Sequence, residues 1–261
     1  MEEFRANVLY QKASKELSKI KLHFHTIQFL ELNNKTKYTY TPYGSGVLVQ
    51  IKENFLIFTA SHVVENFHRK PLYINTRVGV QVVIGTCCST DLKQQKNVDL
   101  SYIILDTMLG LLLAEDYKFL PLNKIIHSHE TLKGANYMVS GYPEKDIWRN
   151  NSDIYTGSSH FLLHMASDEV FAFYGLNKKE NYVLFFGGRG IDIETGEKTN
   201  KISDPYGISG CGLWYLTPTI SNERIILDYY LIGIMTMFRK SKYHILIGNR
   251  VELIMNELKL N

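Results

Sequence analysis

The chain has 261 residues, 45% of them hydrophobic and 21% charged, with a formal net charge of +3 from 29 Lys and Arg against 26 Asp and Glu. This is the composition of a folded globular protein with room for one large domain or two packed lobes. It has no long basic run or arginine cluster to suggest nucleic acid, and its longest apolar stretch, 229–238, is far too short to span a membrane.

From Glu2 onward the amino end is charged and has no apolar run of the kind a secretory leader needs. Cys87, Cys88 and Cys211 form an odd set with two adjacent members, from which no disulfide framework can be built. Both features lead us to expect an intracellular, cytoplasmic protein.

In chain order, Phe4, Val8, Leu9, Leu17 and Ile20 leave an apolar stripe among polar residues and predict a helix over 3–20. From His23 the pattern changes to short segments rich in aromatic and β-branched residues. Strands are predicted at 23–32, 43–51, 54–60, 72–76, 78–85 and 100–105, with turns at 33–35 and 52–54. A polar stretch around Pro121 and His127-Ser128-His129-Glu130 reads as a linker. Strand signals resume at 137–141, 155–165, 170–174, 182–186, 212–216, 225–237 and 243–247. A terminal helix is predicted over 250–260, with Val251, Ile254, Met255 and Leu258 on one face. Two runs of short strands joined by one linker predict an all-β fold of two antiparallel barrels or sandwiches. The expected division is a helix over 1–20, a first barrel over 21–115, a linker over 116–134, a second barrel over 135–248 and a helix over 249–261.

One loop stands out chemically: Asp204-Pro205-Tyr206-Gly207-Ile208-Ser209-Gly210-Cys211-Gly212. A serine flanked by glycines at a sharp bend can be approached by a carbonyl substrate, and the bend can aim backbone N–H groups at a developing oxyanion. A serine alcohol needs a general base, usually a histidine, and that base needs a carboxylate to hold its tautomer. His62 closes the apolar run Phe55-Leu56-Ile57-Phe58-Thr59-Ala60-Ser61, and Asp99 opens the apolar run that follows Asn97-Val98. Taken singly, His62 reads equally as a core histidine and Asp99 as a turn cap.

Thr59-Ala60-Ser61-His62, Val98-Asp99-Leu100 and Gly207-Ile208-Ser209-Gly210, in that order, resemble the signatures of the trypsin/chymotrypsin-like serine peptidases. Gly44-Ser45-Gly46-Val47, Ser140-Gly141-Tyr142-Pro143 and Ile232-Gly233-Ile234-Met235-Thr236 extend the likeness over roughly residues 40 to 240. It is nearest to stand-alone bacterial members with an HtrA-type protease core and no PDZ domain. The resemblance implies two antiparallel six-stranded β-barrels with a terminal helix at each end. It makes Ser209 the nucleophile, His62 the base and Asp99 its orienting acid. The N–H groups of Gly207 and Ser209 would form the oxyanion hole. Ser203 and Asp204 would stand near the specificity pocket, and an extended protein or peptide substrate would pair along the Gly233–Thr236 edge. No cofactor, metal, nucleic acid or membrane partner is implied; an activating protein partner is left open. The rival is a catalytically silent or partner-activated binding module on the same fold.

The departures are local. Ser61 replaces the usual alanine before the histidine. Ile208 stands where many secreted members carry the aspartate that receives a new amino terminus. Cys211-Gly212 replaces a Gly-Pro pair and offers a second, less well-placed nucleophile. Cys87-Cys88 lacks metal-ligand spacing, and Gly187-Gly188-Arg189-Gly190 reads as a hairpin loop.

Overall fold

Segments dense in Val, Ile, Phe and Tyr and broken by Gly, Asn and charged pairs favour short antiparallel strands over helices. A computed structural model describes residues 20–33, 39–90, 97–130, 136–143, 147–150, 153–187, 190–191, 198–199, 205–221 and 224–259; the predicted helix over 3–20 lies outside these. The first lobe comprises β1 (Thr26–Asn33), β2 (Thr39–Ile51), β3 (Asn54–Ala60), β4 (Tyr73–Thr76), β5 (Gly79–Val82), β6 (Gly85–Ser89), β7 (Leu100–Leu105) and β8 (Leu120–Pro121). They form a half-barrel sheet in the order β5-β4-β1-β2-β3-β7-β6, with β8 running parallel to β2. β3 lies between β2 and β7 and is buried from Leu56 to Ala60, which explains its unbroken apolar sequence. The turn from β2 to β3 places Lys52 at φ 54°, in the left-handed region.

The second lobe comprises β9 (Asn136–Gly141), a hairpin of β10 (Ile147–Asn150) and β11 (Asp153–Thr156), β12 (Ser159–Met165), β13 (Asn181–Phe185), a hairpin of β14 (Gly190–Ile191) and β15 (Lys198–Thr199), β16 (Gly212–Ser221), β17 (Arg224–Lys240) and β18 (His244–Arg250). Six of these close a barrel in the order β12-β13-β18-β17-β16-β9. The all-β, two-lobed class expected from the sequence is the one observed.

The α-helices among the described residues are short: α1 (Ser61–Val64), α2 (Thr107–Asp116) and α3 (Asp168–Tyr174) lie between strands, and α4 (Glu252–Glu257) follows the last one. Two of them correct the sequence reading. Residues 170–174, predicted as a strand, lie in α3, where Asp168 and Glu169 occupy the first turn and Gly175 ends the helix in the left-handed conformation at φ 63°. α2 was not expected; Asp106 caps it by accepting from the N–H groups of Met108 and Leu109. The segment 155–165 divides into β11 and β12, and 78–85 yields β5 and the start of a separate β6.

The lobes share one core. Val47, Val49 and Phe58 of the first meet Met138, Trp214, Leu216 and Leu231 of the second, with Leu22, Val251, Ile254 and Met255 closing the cluster. At the edge of this seam His160 pairs across strands with Ser140, and its ring lies 6.4 Å from that of His23. The His160 Nδ1 is shut off from solvent with no partner among the described residues. Burial, reinforced by the charge of His23, pushes its pKa down to about 4. An unfolded chain takes up this proton near pH 6.5 while the native protein resists until about pH 4. Stability is therefore expected to fall as the pH drops through that window, by at most roughly 3 kcal/mol from this residue. Urea titrations at pH 7.0, 5.5 and 4.5 should show the loss, and H160Q should flatten it; an unchanged slope in H160Q would refute the assignment.

Candidate active site

Three elements meet at Gly44. A methyl group there would stand 2.8 Å from both Cγ atoms of Val63 and 3.3 Å from the carbonyl oxygen of Ser209. A glycine is required for β2 to pass between α1 and the loop of residues 205–211.

β3 delivers the histidine. Its last residues, Thr59 and Ala60, are fully buried, and α1 begins immediately after them. The Ser61 N–H donates to the Asp99 carbonyl at 3.1 Å, and its hydroxyl donates to the Leu100 carbonyl at 2.6 Å. The serine found in place of the expected alanine thus ties α1 to the start of β7. His62 follows, half exposed, with its N–H donating to Oδ1 of Asp99 at 3.0 Å. Its ring Nδ1 lies 2.6 Å from Oδ2 of the same carboxylate. One oxygen fixes the backbone of His62 and the other its ring, leaving Nε2 as the outward nitrogen.

The serine loop is a pair of tight turns. Ile208 N–H donates to the Pro205 carbonyl at 3.2 Å, and Cys211 N–H to the Ile208 carbonyl at 2.9 Å. The loop is anchored at both ends: Gly210 N–H donates to Met235 at 2.7 Å, and Met235 N–H returns a bond to Cys211 at 2.8 Å. The first lobe supplies the rest. Ser45 N–H donates to the Ser209 carbonyl at 2.7 Å, Ser45 Oγ donates to the Gly207 carbonyl at 2.9 Å, and Thr59 Oγ1 donates to the Ser45 carbonyl at 2.7 Å. Gly210, at φ 90°, lies so close to Ser45 that a methyl group would come within 1.9 Å of its carbonyl oxygen. Gly207 is also left-handed, at φ 92°. Among the described residues, the N–H groups of Gly207 and Ser209 have no backbone acceptor. The carbonyls of Gly207 and Ser209 are thus tied down while their own N–H groups are not.

Cys211, two residues on, is fully buried in the second-lobe core with Ile208, Val139 and Leu213. Burial pushes its thiol pKa well above the usual range, so it carries no thiolate. The other residues singled out in the sequence fare differently. Ser203 and Asp204 lie outside the described residues. Gly233 is paired on both sides, with Leu213 and with Arg250, and is not on an edge. This corrects the expected substrate edge: Met235 is the last residue of β17 bonded to the serine loop, and Met237–Lys240 pair with β18, with no second strand beside them among the described residues. Thr236 stands at that transition, buried, with its hydroxyl donating to the Ile247 carbonyl at 3.3 Å. Ser45 and Thr59 lay within quoted motifs, but nothing in the sequence gave them these roles.

No protein-family model matches the chain, and no curated protein matches it. Solved structures do. A structure of GrC aligns over 92% of this chain and 95% of its own, at a TM-score of 0.51 and 12% identity. A crystal structure of the thermostable serine protease AL20 from an extremophilic microorganism aligns over 91% and 98%, with the same score and identity. The fold is chymotrypsin-like. At 12% identity the likeness is one of fold, and the chemistry must be argued from the residues.

The contrast between the cysteines is directly measurable. Brief alkylation of the native protein with iodoacetamide should modify the partly exposed Cys87 and Cys88 and spare Cys211. Peptide mass spectrometry would read this, and rapid modification of Cys211 in folded protein would reverse the ranking of the two nucleophiles.

Proposed function

We propose that the chain is a serine endopeptidase, resembling the HtrA protease core and acting in the cytoplasm. The observation that carries the proposal is the joint setting of His62, Asp99 and Ser209. A histidine clamped twice by one carboxylate stands in a helix that meets the serine loop at Gly44, and in that loop the carbonyls of Gly207 and Ser209 are bound while their N–H groups have no backbone acceptor among the described residues.

In this reading Oγ of Ser209 attacks the scissile carbonyl carbon while Nε2 of His62 takes its proton. The N–H groups of Gly207 and Ser209 receive the oxyanion, and Asp99 stabilises the imidazolium through Nδ1. His62 then gives its proton to the leaving amine, the C–N bond breaks, and an acyl-Ser209 ester remains. Water then gives a proton to His62 as its oxygen attacks the ester carbon, and His62 passes that proton to Oγ of Ser209 as the C–O bond breaks and the acid is released. An extended substrate would add as a strand along β17 from Thr236 onward, beside the exposed Met237, where β18 is the one strand partner among the described residues. Ile208 is buried among apolar side chains and has no charge to pair with a newly cut amino terminus, so activation by that ion pair is not available.

One observation favours the rival, a partner-activated or silent binding module. Among the described residues no hydrogen bond joins His62 Nε2 to Ser209 Oγ. In uncomplexed enzymes this bond is often long and tightens only when substrate arrives.

A fluorophosphonate probe separates the two readings. Wild type should be labelled, S209A should lose both labelling and peptide hydrolysis, and C211A should keep both. D99N should lower turnover by about 10⁴-fold with little change in KM, because the amide favours the wrong tautomer of His62. An unlabelled, correctly folded wild type would support the binding module, and a D99N variant with near wild-type turnover would reduce Asp99 to a turn residue.

A further inference from the structure

Asp99 is placed by more than its own lobe. Its backbone N–H donates to Oδ1 of Asn249, at 3.0 Å, from β18 of the second barrel. The Asn249 Nδ2 donates to the Asn97 carbonyl at 2.7 Å and to the Glu180 carbonyl at 3.4 Å. Asn181, cross-strand from Asn249, donates from its own Nδ2 to the same Asn97 carbonyl at 3.0 Å. Both asparagines are fully buried, where an unpaired amide costs about 1–3 kcal/mol and a paired one fixes a single geometry. Their side-chain amides are directed at the backbone of residues 97–99, the short segment that presents the Asp99 carboxylate to His62. Within the first lobe, the backbone bond recorded at Asp99 is the one its carbonyl accepts from Ser61.

We propose that Asn249 is a positioning residue that clamps the Asp99 segment across the seam, so that the His62–Asp99 pair forms only when the two lobes are docked. The catalytic part of this proposal rests on the peptidase reading; the clamp itself does not. Asn249 acts through Asp99 and touches no reacting atom.

The test begins with wild type. The Asp99 amide should exchange slowly with deuterium by NMR, as a hydrogen-bonded strand amide does, although it lies before β7 begins. The His62 Nδ1 proton should give a downfield resonance that weakens or vanishes in N249A while persisting in N181A, which spares the bond to Asp99. In hydrolysis, N249A should lose about 10²-fold in kcat with little change in KM, as a small misplacement of a catalytic group does. In a D99N background the same substitution should cost less than about threefold, because the two act as one unit. A wild type that hydrolyses peptides while its Asp99 amide exchanges freely would overturn the clamp, as would full additivity of N249A with D99N. A wild type that hydrolyses nothing, yet protects this amide and loses the His62 signal in N249A, would leave the clamp standing and remove the peptidase reading. If N249A does not fold, the wild-type amide exchange decides alone.

Discussion

The bond from the Ser45 N–H to the Ser209 carbonyl is the constraint on which the site depends. It crosses from the first lobe to the second and is reinforced by Ser45 Oγ on Gly207 and by Thr59 on Ser45. Ser45 and Thr59 are fully buried, so each of these groups would carry a desolvation cost if its partner moved away. β2 thus acts as a template for the serine loop. Gly210 is a glycine because the template lies too close for any side chain, and Gly44, on the template itself, is crowded by Val63 and the Ser209 carbonyl. The free N–H groups of Gly207 and Ser209 follow from this arrangement: the loop cannot turn its donors inward once its carbonyls are bound to the opposite lobe.

The parts of the fold that were legible in the sequence are those with strong local chemistry. Asn54–Ala60 and Leu100–Leu105 are strands at the predicted limits because central strands need apolar residues on both faces. Residues 170–174 were misread because Val, Phe and Tyr favour strands when alone. The helix was decided by Asp168, Glu169 and Gly175, polar residues outside the apolar run. For α2 the apolar series Leu111-Leu112-Leu113 hid the cap at Asp106. At the candidate site, His62 and Asp99 drew notice because one closes and the other opens an apolar run, and Ser209 because glycines surround it. Their mutual support could not be read there. Asn249 sits among apolar strand residues as one asparagine of many, and its partner lies 150 positions away. Gly233 was assigned to an edge because strand order cannot be seen in a single strand; only the closed barrel shows neighbours on both sides.

Two residues that depart from the expected motifs become intelligible in this frame. Ser61, in the place of an alanine, uses its hydroxyl to join α1 to the Leu100 carbonyl and to Ser101. Cys211 fills a closely packed point beside Gly141, where a methyl group would come within 3.0 Å of its sulfur. A larger residue at Cys211 would push against β9, and a glycine would leave a void next to the serine loop. The cysteine therefore acts as a small hydrophobe, with its reactivity suppressed by the same burial that makes it useful.

Apolar burial and polar bridging divide the work of docking the lobes. The shared cluster around Phe58, Trp214 and Leu231 supplies attraction, but that attraction is non-directional and tolerates small shifts of one sheet over the other. A hydrogen bond weakens steeply with distance and angle, so the bridges at Ser45 and Asn249 set the relative position of the lobes far more tightly. These two bridges hold different parts of the candidate site. Ser45 reaches from the first lobe to the loop of Ser209, and Asn249 reaches from the second lobe to the segment of Asp99. Each lobe thus holds in place a candidate residue of the other. A sliding movement that broke one bridge would displace the serine loop, and one that broke the other would displace the carboxylate. The geometry of the site and the docking of the lobes are one equilibrium, and any ligand that favours the docked arrangement also favours an assembled site.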